Sequence, residues 1–185
     1  MKFTGSTAAA VALAMAGAAC ASMSGSQVAK APEPAKPVHA ASFYAGRWYE
    51  IGRTPMALTD GCVAGYTDYL RAGDDLVERD GCRDTTPDGK EKVIAGPLKI
   101  LNPGENTKVH VNYRLFGFLP VGRDYWMLDH GDGWFIQATP DLKMVNLYTR
   151  DPHPSQALIA TLTARTKALG YDVGKLEFPA LQPAT

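Results

Sequence analysis

The sequence lacks an excess of either charge. Lysine and arginine together number 19, and aspartate and glutamate together also number 19. The basic residues are spread along the chain, so no strong field would attract nucleic acid or an acidic surface. This balance excludes nucleic-acid binding driven by charge. The length of 185 residues favours one domain with appendages.

Residues that carry chemistry are also few and scattered. The chain has 3 cysteines without a CxxC pair and 4 histidines that do not group with them, which argues against a structural zinc site. Serine is scarce after Ser42, and none stands in a Gly-x-Ser-x-Gly setting. Two acidic stretches, Asp74-Asp75 and residues 129–132, lack EF-hand spacing and are better explained as turns. The sequence therefore predicts no enzyme active site, metal or cofactor.

No apolar run is long enough to cross a membrane. The segment from Ala8 to Ala19 falls short of the roughly 20 apolar residues that a transmembrane helix needs. With a basic start before it and small residues at its end, it predicts a signal peptide over residues 1–20.

Two processing routes are open for this signal peptide. Ala18-Ala19-Cys20 resembles a bacterial lipobox, in which Cys20 is acylated, although Gly17 stands where an aliphatic residue is usual. Ala19-Cys20-Ala21 instead fits an Ala-x-Ala site, which predicts a soluble periplasmic or secreted protein starting at Ser22. We favour the lipoprotein, because cysteine is uncommon at the end of an apolar segment. No aspartate follows Cys20, so we expect a lipid anchor in the outer membrane, facing the periplasm.

The next segment, residues 21–41, is rich in alanine, serine and lysine, with Pro32, Pro34 and Pro37 closely spaced. Such a composition cannot bury a core, so it predicts a disordered tether between the anchor and a folded domain. An unselected disordered tail has the same composition and remains the alternative.

Strand patterns follow at short spacing, separated by turns rich in Gly, Pro, Asn and Asp. Two connections are longer. Residues 54–60 suit a flap over the mouth of a barrel, and residues 115–122 are too apolar for a plain solvent loop. We predict eight strands, at about 47–54, 61–70, 75–83, 91–101, 107–115, 124–129, 133–139 and 143–150.

After Arg150 the apolar residues recur with a helical period. Leu158, Leu162 and Leu169 lie on one helical face, and Gly170 can end the helix. A short final strand over 173–178 and a tail over 180–185 would follow. The predicted fold is all-β, an eight-stranded up-and-down antiparallel barrel over 42–179 with one C-terminal α-helix packed outside.

Three segments resemble the signature regions of the lipocalin family, in the family's order. They are Gly46-Arg47-Trp48, the run from Tyr125 to Asp129, and the run from Asn146 to Pro152. The resemblance extends from about Phe43 to Phe178 and is to bacterial lipocalins of the outer-membrane and apolipoprotein-D type. It implies structural roles for Gly46, Trp48, Asp129 and Arg150. Arg150 is expected to stack on Trp48 as a cation–π pair.

If Cys20 is acylated or removed, only Cys62 and Cys82 remain to pair. They are equidistant from Ala72, in the predicted turn between the second and third strands. Residues placed so lie opposite each other with Cβ atoms about 4.5–5.5 Å apart, near the reach of a disulfide. An exported location permits oxidation. We predict the Cys62–Cys82 bond, with two reduced thiols as the alternative.

Strand parity selects the side chains expected inside the barrel. If Arg150 points at Trp48, the alternate residues before Arg150 share its face, and Glu50 and Gly52 share the face of Trp48. On the sixth strand the resemblance turns Trp126 and Leu128 inward. The inner face of the second and third strands stays undecided. The predicted ligand-binding residues are therefore Trp126, Leu128, Met144, Asn146, Tyr148 and Glu50.

The resemblance implies binding, storage or transport of a hydrophobic or amphipathic small molecule in the bacterial cell envelope. A fatty acid or lysophospholipid is the expected class. An eight-stranded barrel has room for one such ligand, and burial of its apolar surface, at roughly 25 cal/mol per Å², would drive binding. Two alternatives remain. One is a lipocalin-fold enzyme that acts on a lipid through Glu50 or Tyr148, and the other is an envelope interaction protein with a barrel filled by side chains.

Overall fold

The structure is a computed structural model that describes Met1, residues 30–73 and residues 75–182. The predicted signal peptide beyond Met1, the acylation site at Cys20 and the first part of the predicted tether lie outside the described residues. In the part of the chain that is described, no helix combines the length and apolar character needed to cross a membrane.

Eight antiparallel strands form a closed barrel in which each strand pairs with the next and the last pairs with the first. This confirms the predicted fold class. The bounds are β1 Gly46–Arg53, β2 Cys62–Ala72, β3 Asp75–Asp84, β4 Glu91–Ile100, β5 Lys108–Leu115, β6 Leu119–Gly131, β7 Trp134–Ala138 and β8 Val145–Thr149.

The connections alternate between the two ends of the barrel. At the end that we call the mouth, the β1–β2 connection carries a short 3₁₀ turn at Ala57–Thr59. The apolar segment 115–122 is not a long loop, because β5 and β6 continue as a hairpin to a tight turn at residues 116–118. Phe116 and Phe118 at its tip are 84% and 74% exposed. The hairpin thus presents two solvent-exposed aromatic rings beside the mouth.

Two β-bulges interrupt the regular alternation of side chains. In β1 the register against β8 shifts between Glu50 and Gly52, and in β6 the register against β7 shifts between Met127 and Asp129. A bulge adds one residue to a single strand and so reverses the facing of the residues beyond it. The extra residues here are Ile51 and Leu128.

A short helix, α1 (Ala40–Phe43), closes the end of the barrel opposite the mouth. Phe43 and Tyr44 are buried, and the Phe43 ring packs 5.4 Å from the Trp48 ring and 5.0 Å from the Phe135 ring. The Tyr44 hydroxyl donates to the Asn106 carbonyl at 2.6 Å. These aromatic side chains fill the closed end of the barrel.

The described part of the predicted tether packs on the barrel, which corrects the expectation of a disordered segment for residues 30–41. The Ala31 amide donates to the Pro140 carbonyl at 2.9 Å, and the Val38 amide donates to the Glu105 carbonyl at 2.9 Å. Between them, the Lys36 ammonium lies 2.9 Å from Asp129. Closely spaced prolines do not prevent this packing, because the amides of the other residues in an extended segment can still donate hydrogen bonds to the carbonyls of neighbouring loops. The segment runs along the outer wall from the mouth to the closed end.

The second helix, α2 (Gln156–Ala168), packs on the outside of the barrel, as predicted. The Ser155 hydroxyl caps its start by accepting from the Leu158 amide at 3.2 Å. Leu162 and Thr166 are its most deeply buried side chains. Arg165 fixes the helix to β6 through an ion pair with Asp129 at 2.8 Å.

The predicted final strand over 173–178 does not form as such. Asp172 accepts from the Gly174 amide and starts a 3₁₀ turn over Val173–Lys175, so only Glu177 makes a bridge, to Arg53. Beyond it, the Ala180 carbonyl accepts from the Ala64 amide at 2.6 Å. The turn residues bend the chain before a second strand pair can form.

Cys62 and Cys82 form the predicted disulfide, with a sequence separation of 20 residues. The strand register assumed in that prediction is wrong, because Cys62 lies opposite Asp84 and not opposite Cys82. The β2–β3 register shifts between Val63 and Tyr66, where Ala64 adopts a φ of 51°. This irregularity lets the bond cross the strands diagonally at the mouth.

Candidate functional site

The barrel separates two buried clusters. The inner cluster holds Trp48, Tyr69, Val111, Phe135 and Tyr148, among others. The outer cluster packs β-strand residues such as Ile136 and Leu147 against α2 and the C-terminal segment. A side chain's cluster therefore shows which side of the wall it occupies.

On β8 and just before it, the residues that strand parity predicted to face inward do lie at the inner face. Tyr148 stacks on Phe135 with ring centroids 4.7 Å apart, and Asn146 donates to Glu50 at 2.8 Å. Met144 lies at the mouth, where its sulfur contacts the Arg123 guanidinium. These residues and Glu50 are therefore brought together along one side of the lumen.

On β6 the expected orientation is wrong. Tyr125 and Met127 belong to the inner cluster, while Trp126 and Leu128 belong to the outer one. Trp126 lies under the Lys108 ammonium, 3.9 Å from its ring centroid. Alternation puts Trp126 outside once Tyr125 is inside, and Leu128 is the extra residue of the bulge.

On β1 the bulge at Ile51 reverses the facing of the residues that follow it. Gly52 was expected inside but faces the outer wall, where a Cβ would meet Phe178 and Leu147. Arg53 takes the inner position opposite Asn146. No signal in the sequence marked this bulge.

The closed end is built on a stacked cation–π pair. The Arg150 guanidinium lies 3.6 Å from the centroid of the Trp48 ring, and Trp48 is 4% exposed. Arg150 also donates to the Arg47 carbonyl at 2.7 Å. Gly46, with a φ of 65°, makes the turn that brings the strand under Arg150. Asp129 lies outside the wall, held by Lys36 and Arg165.

A polar layer lies nearer the mouth. Glu50 accepts from Arg53 and from Asn146, each at 2.8 Å, so both of its carboxylate oxygens are engaged. Arg53, 3% exposed, donates onward to Glu177 at 2.6 Å and to the Cys62 carbonyl at 2.8 Å. Gly65 leaves room for this pair, because a Cβ there would come within 2.8 Å of Glu50. Burial raises the pKa of Glu50, and the charge of Arg53 opposes that effect.

A second acidic group lies deeper and was not foreseen from the sequence. The Tyr113 hydroxyl lies 2.5 Å from Glu78 Oε1 and 2.8 Å from Asp80 Oδ2. Thr67 donates to the other oxygen of Asp80 at 2.6 Å. The signal that could have found the pair is parity, since Leu76, Glu78, Asp80 and Cys82 alternate on β3. Charged residues occupy both faces of that strand, so hydrophobicity could not choose between them.

Burial dominates the acid–base behaviour of this carboxyl pair. Burial first, and the charge of Asp80 second, raise the pKa of Glu78 well above its ordinary range. Burial raises the pKa of Asp80 to about 6. Neither carboxyl makes an ion pair with any residue that the structure describes.

The lumen is filled below this pair and more open above it. Tyr69, Tyr113, Phe135 and Tyr148 are each at most 5% exposed. Glu50, Asp80, Ile94 and Asn146 are half-buried, although they face the barrel interior. Two cavities adjoin the ends of the barrel, and neither is lined by Glu50, Asp80 or Asn146. One of about 310 Å³ lies between Cys62 and Phe178 beside the mouth, and one of about 520 Å³ lies beside Tyr44 and Leu98 at the closed end. Among described residues, no group of three His, Cys, Asp or Glu side chains is arranged to hold a metal ion.

The family model for a lipocalin-like domain matches residues 40–181 of this chain. The chain belongs to the lipocalin-like family. The matched span covers all eight strands and α2, so the barrel of this lipocalin is a family feature from its first strand to its last. No match to a curated protein sequence accompanies it.

Solved lipocalin structures share the fold of this chain. Insecticyanin from the tobacco hornworm Manduca sexta aligns with a TM-score of 0.60 at 18% identity, covering 86% of this chain and 93% of that chain. Lobster apocrustacyanin A1 aligns at 0.58 and 15%, covering 83% and 92%. The amine-binding protein of Rhodnius prolixus, solved as a tryptamine complex, aligns at 0.60 and 11%, covering 82% and 86%. Identities this low establish a common fold and nothing further.

Proposed function

We propose that this lipocalin binds one small hydrophobic or amphipathic molecule in the upper half of its barrel, for storage or transport. The observation that carries the proposal is the asymmetry of the lumen. Trp48, Arg150 and α1 plug one end, while inward-facing Glu50, Asp80 and Asn146 stay half-buried below the mouth. Lipocalin barrels are wide enough to hold one small ligand. The fatty acid or lysophospholipid class that the resemblance implies is the first class to test.

A binding role is favoured over catalysis by the state of the two candidate groups. Glu50 has both oxygens occupied by Arg53 and Asn146. Tyr148 is buried against Phe135, and burial followed by the charge of Glu50 raises the pKa of its hydroxyl. A general base needs a pKa near the working pH and must reach the proton that it takes. Both oxygens of Glu50 are directed at donors of the protein itself, and the raised pKa of Tyr148 moves its hydroxyl away from the working pH. We therefore propose that the protein is not an enzyme.

We further propose that the protein works in the bacterial cell envelope, held at the outer membrane by a lipid on Cys20. The path of the N-terminal segment supports this arrangement. Ala31 bonds to Pro140 in a mouth-side loop, so an anchor before it would hold the mouth near the membrane. Phe116 and Phe118, bare at the same end, would meet the lipid surface.

Native mass spectrometry of the protein extracted from its own membrane tests binding and acylation together. We expect a mass increment for a bound small molecule and a second, covalent increment on Cys20. Titration of a fluorescent fatty acid then reports affinity directly. A protein that carries no ligand and binds no amphiphile of any headgroup would contradict the proposed function.

Membrane attachment is tested separately by Cys20→Ser. A single acyl chain holds a protein only marginally, whereas the several chains of a lipoprotein hold it stably. We expect the variant to move to the soluble fraction or to remain unprocessed. Cys62→Ser, which removes a cysteine of the domain, serves as the matched control and should stay in the membrane fraction. Unchanged fractionation of Cys20→Ser would contradict the anchor.

A further inference from the structure

The carboxyl pair inside the barrel has a hydrogen-bonding arrangement that the protein's own groups do not complete. The Tyr113 hydroxyl has one proton, yet it lies within hydrogen-bond distance of both Glu78 and Asp80. It can donate to only one of them. The other contact is a hydrogen bond only when that carboxyl is itself protonated. Without a cation, the pair is therefore neutralised by a proton.

Two further atoms at the same place have no partner. Glu78 Oε2 and the Tyr69 hydroxyl are buried, and neither makes a hydrogen bond. The Tyr69 hydroxyl lies close enough to Glu78 to lower its pKa, although the geometry falls short of a bond. Tyr69 is 2% exposed and Glu78 is 1% exposed. Buried polar atoms are normally satisfied, because each one left unpaired costs about 1–3 kcal/mol.

The groups that surround this place are carboxylates, hydroxyls and aromatic rings. Those that face Asp80 or act on its charge are Glu50, Thr67, Asp68, Tyr69, Tyr113, Tyr125 and Tyr148, in addition to Glu78. None of these is cationic. The charge of Arg123, on the inner face of β6 opposite Val111, acts to lower the pKa of Tyr125, but its guanidinium contacts Met144 and makes no ion pair with Glu78 or Asp80. The lumenal guanidinium of Arg53, in the layer above, is already bound by Glu50 and Glu177.

We propose that the floor of the lumen is a binding site for an organic ammonium group, seated between Glu78 and Asp80 with the ligand's apolar body directed toward the mouth. An ammonium has three N–H donors, which match Asp80, the free oxygen of Glu78 and the Tyr69 hydroxyl. The rings of Tyr113 and Tyr148 add cation–π attraction in a desolvated setting. A fatty-acid carboxylate offers no donor and would be repelled by the pair. The inference rests on the proposed function, since it names the class of ligand that the barrel holds.

Binding of the ammonium exchanges one cation for another. The ligand enters with its positive charge, and the proton shared by the carboxyl pair leaves to solvent. Proton release is therefore part of the proposal. It is measurable as a dependence of the apparent binding enthalpy on the ionisation enthalpy of the buffer.

The test is isothermal titration calorimetry of the purified full chain with three probes of equal length: n-octylamine, 1-octanol and octanoate. We expect n-octylamine to bind at least tenfold more tightly than 1-octanol at pH 7.5, with proton release, and octanoate to bind most weakly. The preference for the amine should shrink at pH 5, where the pair retains its proton. The neutral alcohol should bind equally at both values.

Three variants localise the effect. Glu78→Gln and Asp80→Asn keep size and shape while removing one charge each, and both should bring the amine and the alcohol within threefold of each other. Asp124→Asn removes the same charge from a side chain that is 47% exposed on the outer face, and should keep the full preference. If a lumenal variant does not fold, proton release and pH dependence in the unmodified chain still decide the question.

The failures are distinguishable. Equal binding of amine and alcohol, or tighter binding of octanoate, overturns the ammonium site while leaving the proposed ligand-binding function intact. An amine preference that survives in both lumenal variants also overturns it, because the charge would act elsewhere. Absence of binding by all three probes and by longer-chain analogues overturns the proposed function and the ammonium site together.

Discussion

At the scale of single residues, the closed end depends on one stacked pair. Trp48 buries a large aromatic surface, and its indole N–H donates to the Phe43 carbonyl at 3.0 Å. Arg150 covers the other face of the ring and bonds to the carbonyls of Arg47, Ser42 and Phe43. The pair therefore links β1, the residue that follows β8 and the end of α1 in one place.

We expect Trp48→Ala to lower the free energy of unfolding by about 3–5 kcal/mol, the usual cost of truncating a buried aromatic residue. Arg150→Ala should cost less, and the double variant should cost less than the sum, because each single change removes the same contact. Urea unfolding measures all three. Arg165→Ala, on the outer helix, is the control and should add to Trp48→Ala. Additive losses for Trp48 and Arg150 would contradict the stacked pair.

The orientation of Trp126 determines what its substitution does. Its ring supports Lys108, whose ammonium pairs with Glu33 of the N-terminal segment. Asn146 lies inside and holds Glu50. Their roles in ligand binding should therefore differ.

We expect Trp126→Ala to leave the affinity for a fluorescent amphiphile within twofold, while amide exchange over residues 30–36 accelerates. Asn146→Trp should weaken the same amphiphile severalfold, because the larger ring fills the upper lumen and the bond to Glu50 is lost. Fluorescence titration measures the affinity of both variants, and hydrogen exchange with mass spectrometry measures the amide exchange over residues 30–36. A large loss of affinity in Trp126→Ala would mean that the outer wall also contacts ligand.

At the scale of secondary-structure elements, the β2–β3 hairpin is held by its disulfide as well as by its ladder. The bond closes a loop with a sequence separation of 20 residues. It lies at the mouth, where the irregular stretch around Ala64 leaves fewer ladder bonds to hold the strands together.

Removing the bond with the double variant Cys62→Ser/Cys82→Ser should lower the free energy of unfolding by about 3 kcal/mol, as the chain-entropy model gives for a loop of this size. Urea unfolding of the variant and of the oxidised parent measures the difference. The reduced parent should match the variant. Alkylation of two domain cysteines in the unreduced exported protein would contradict the bond.

At the scale of the whole molecule, the buried carboxyl pair links stability to pH. The pKa of Asp80 is about 6 in the folded protein, above its ordinary value of 3.8, because of burial. Between these values the folded state binds more protons than the unfolded state. The free energy of unfolding therefore falls as pH rises through this window, and the raised pKa of Glu78 acts in the same direction.

We expect Tm to be higher at pH 5 than at pH 7.5, and Asp80→Asn to raise Tm at pH 7.5 and to flatten the dependence. Differential scanning calorimetry at several pH values above 4.5 measures this. The carboxyls with lowered pKa on the outer side of the wall, such as Asp68 and Asp129, lose their stabilising charge only below that range. Asp124→Asn should keep the slope of the parent. A Tm that rises with pH in the parent would contradict a charged, unpaired Asp80.

The strands, the turns and the outer helix could be predicted because each follows from local pattern. Alternating apolar residues, turn residues and a change to helical period are written in adjacent positions. The pairing of Cys62 with Cys82 followed from having only two candidates. Parity along β8 also placed Tyr148 and Asn146 correctly at the inner face, because no bulge interrupts that short strand.

Only the tertiary structure decided the rest of the lumen. The bulge at Ile51 places Gly52 outside the lumen and Arg53 inside it. On β6, Tyr125 and Met127 occupy the inner face. An extra residue in a strand reverses the alternation of side chains that follows it, so the local sequence pattern cannot predict which residues beyond a bulge face inward. The acid pair on β3 is inside because the closed wall surrounds it, a consequence of long-range strand pairing that no short segment contains. The sequence by itself determined a barrel, and barrel closure determined the chemistry inside it.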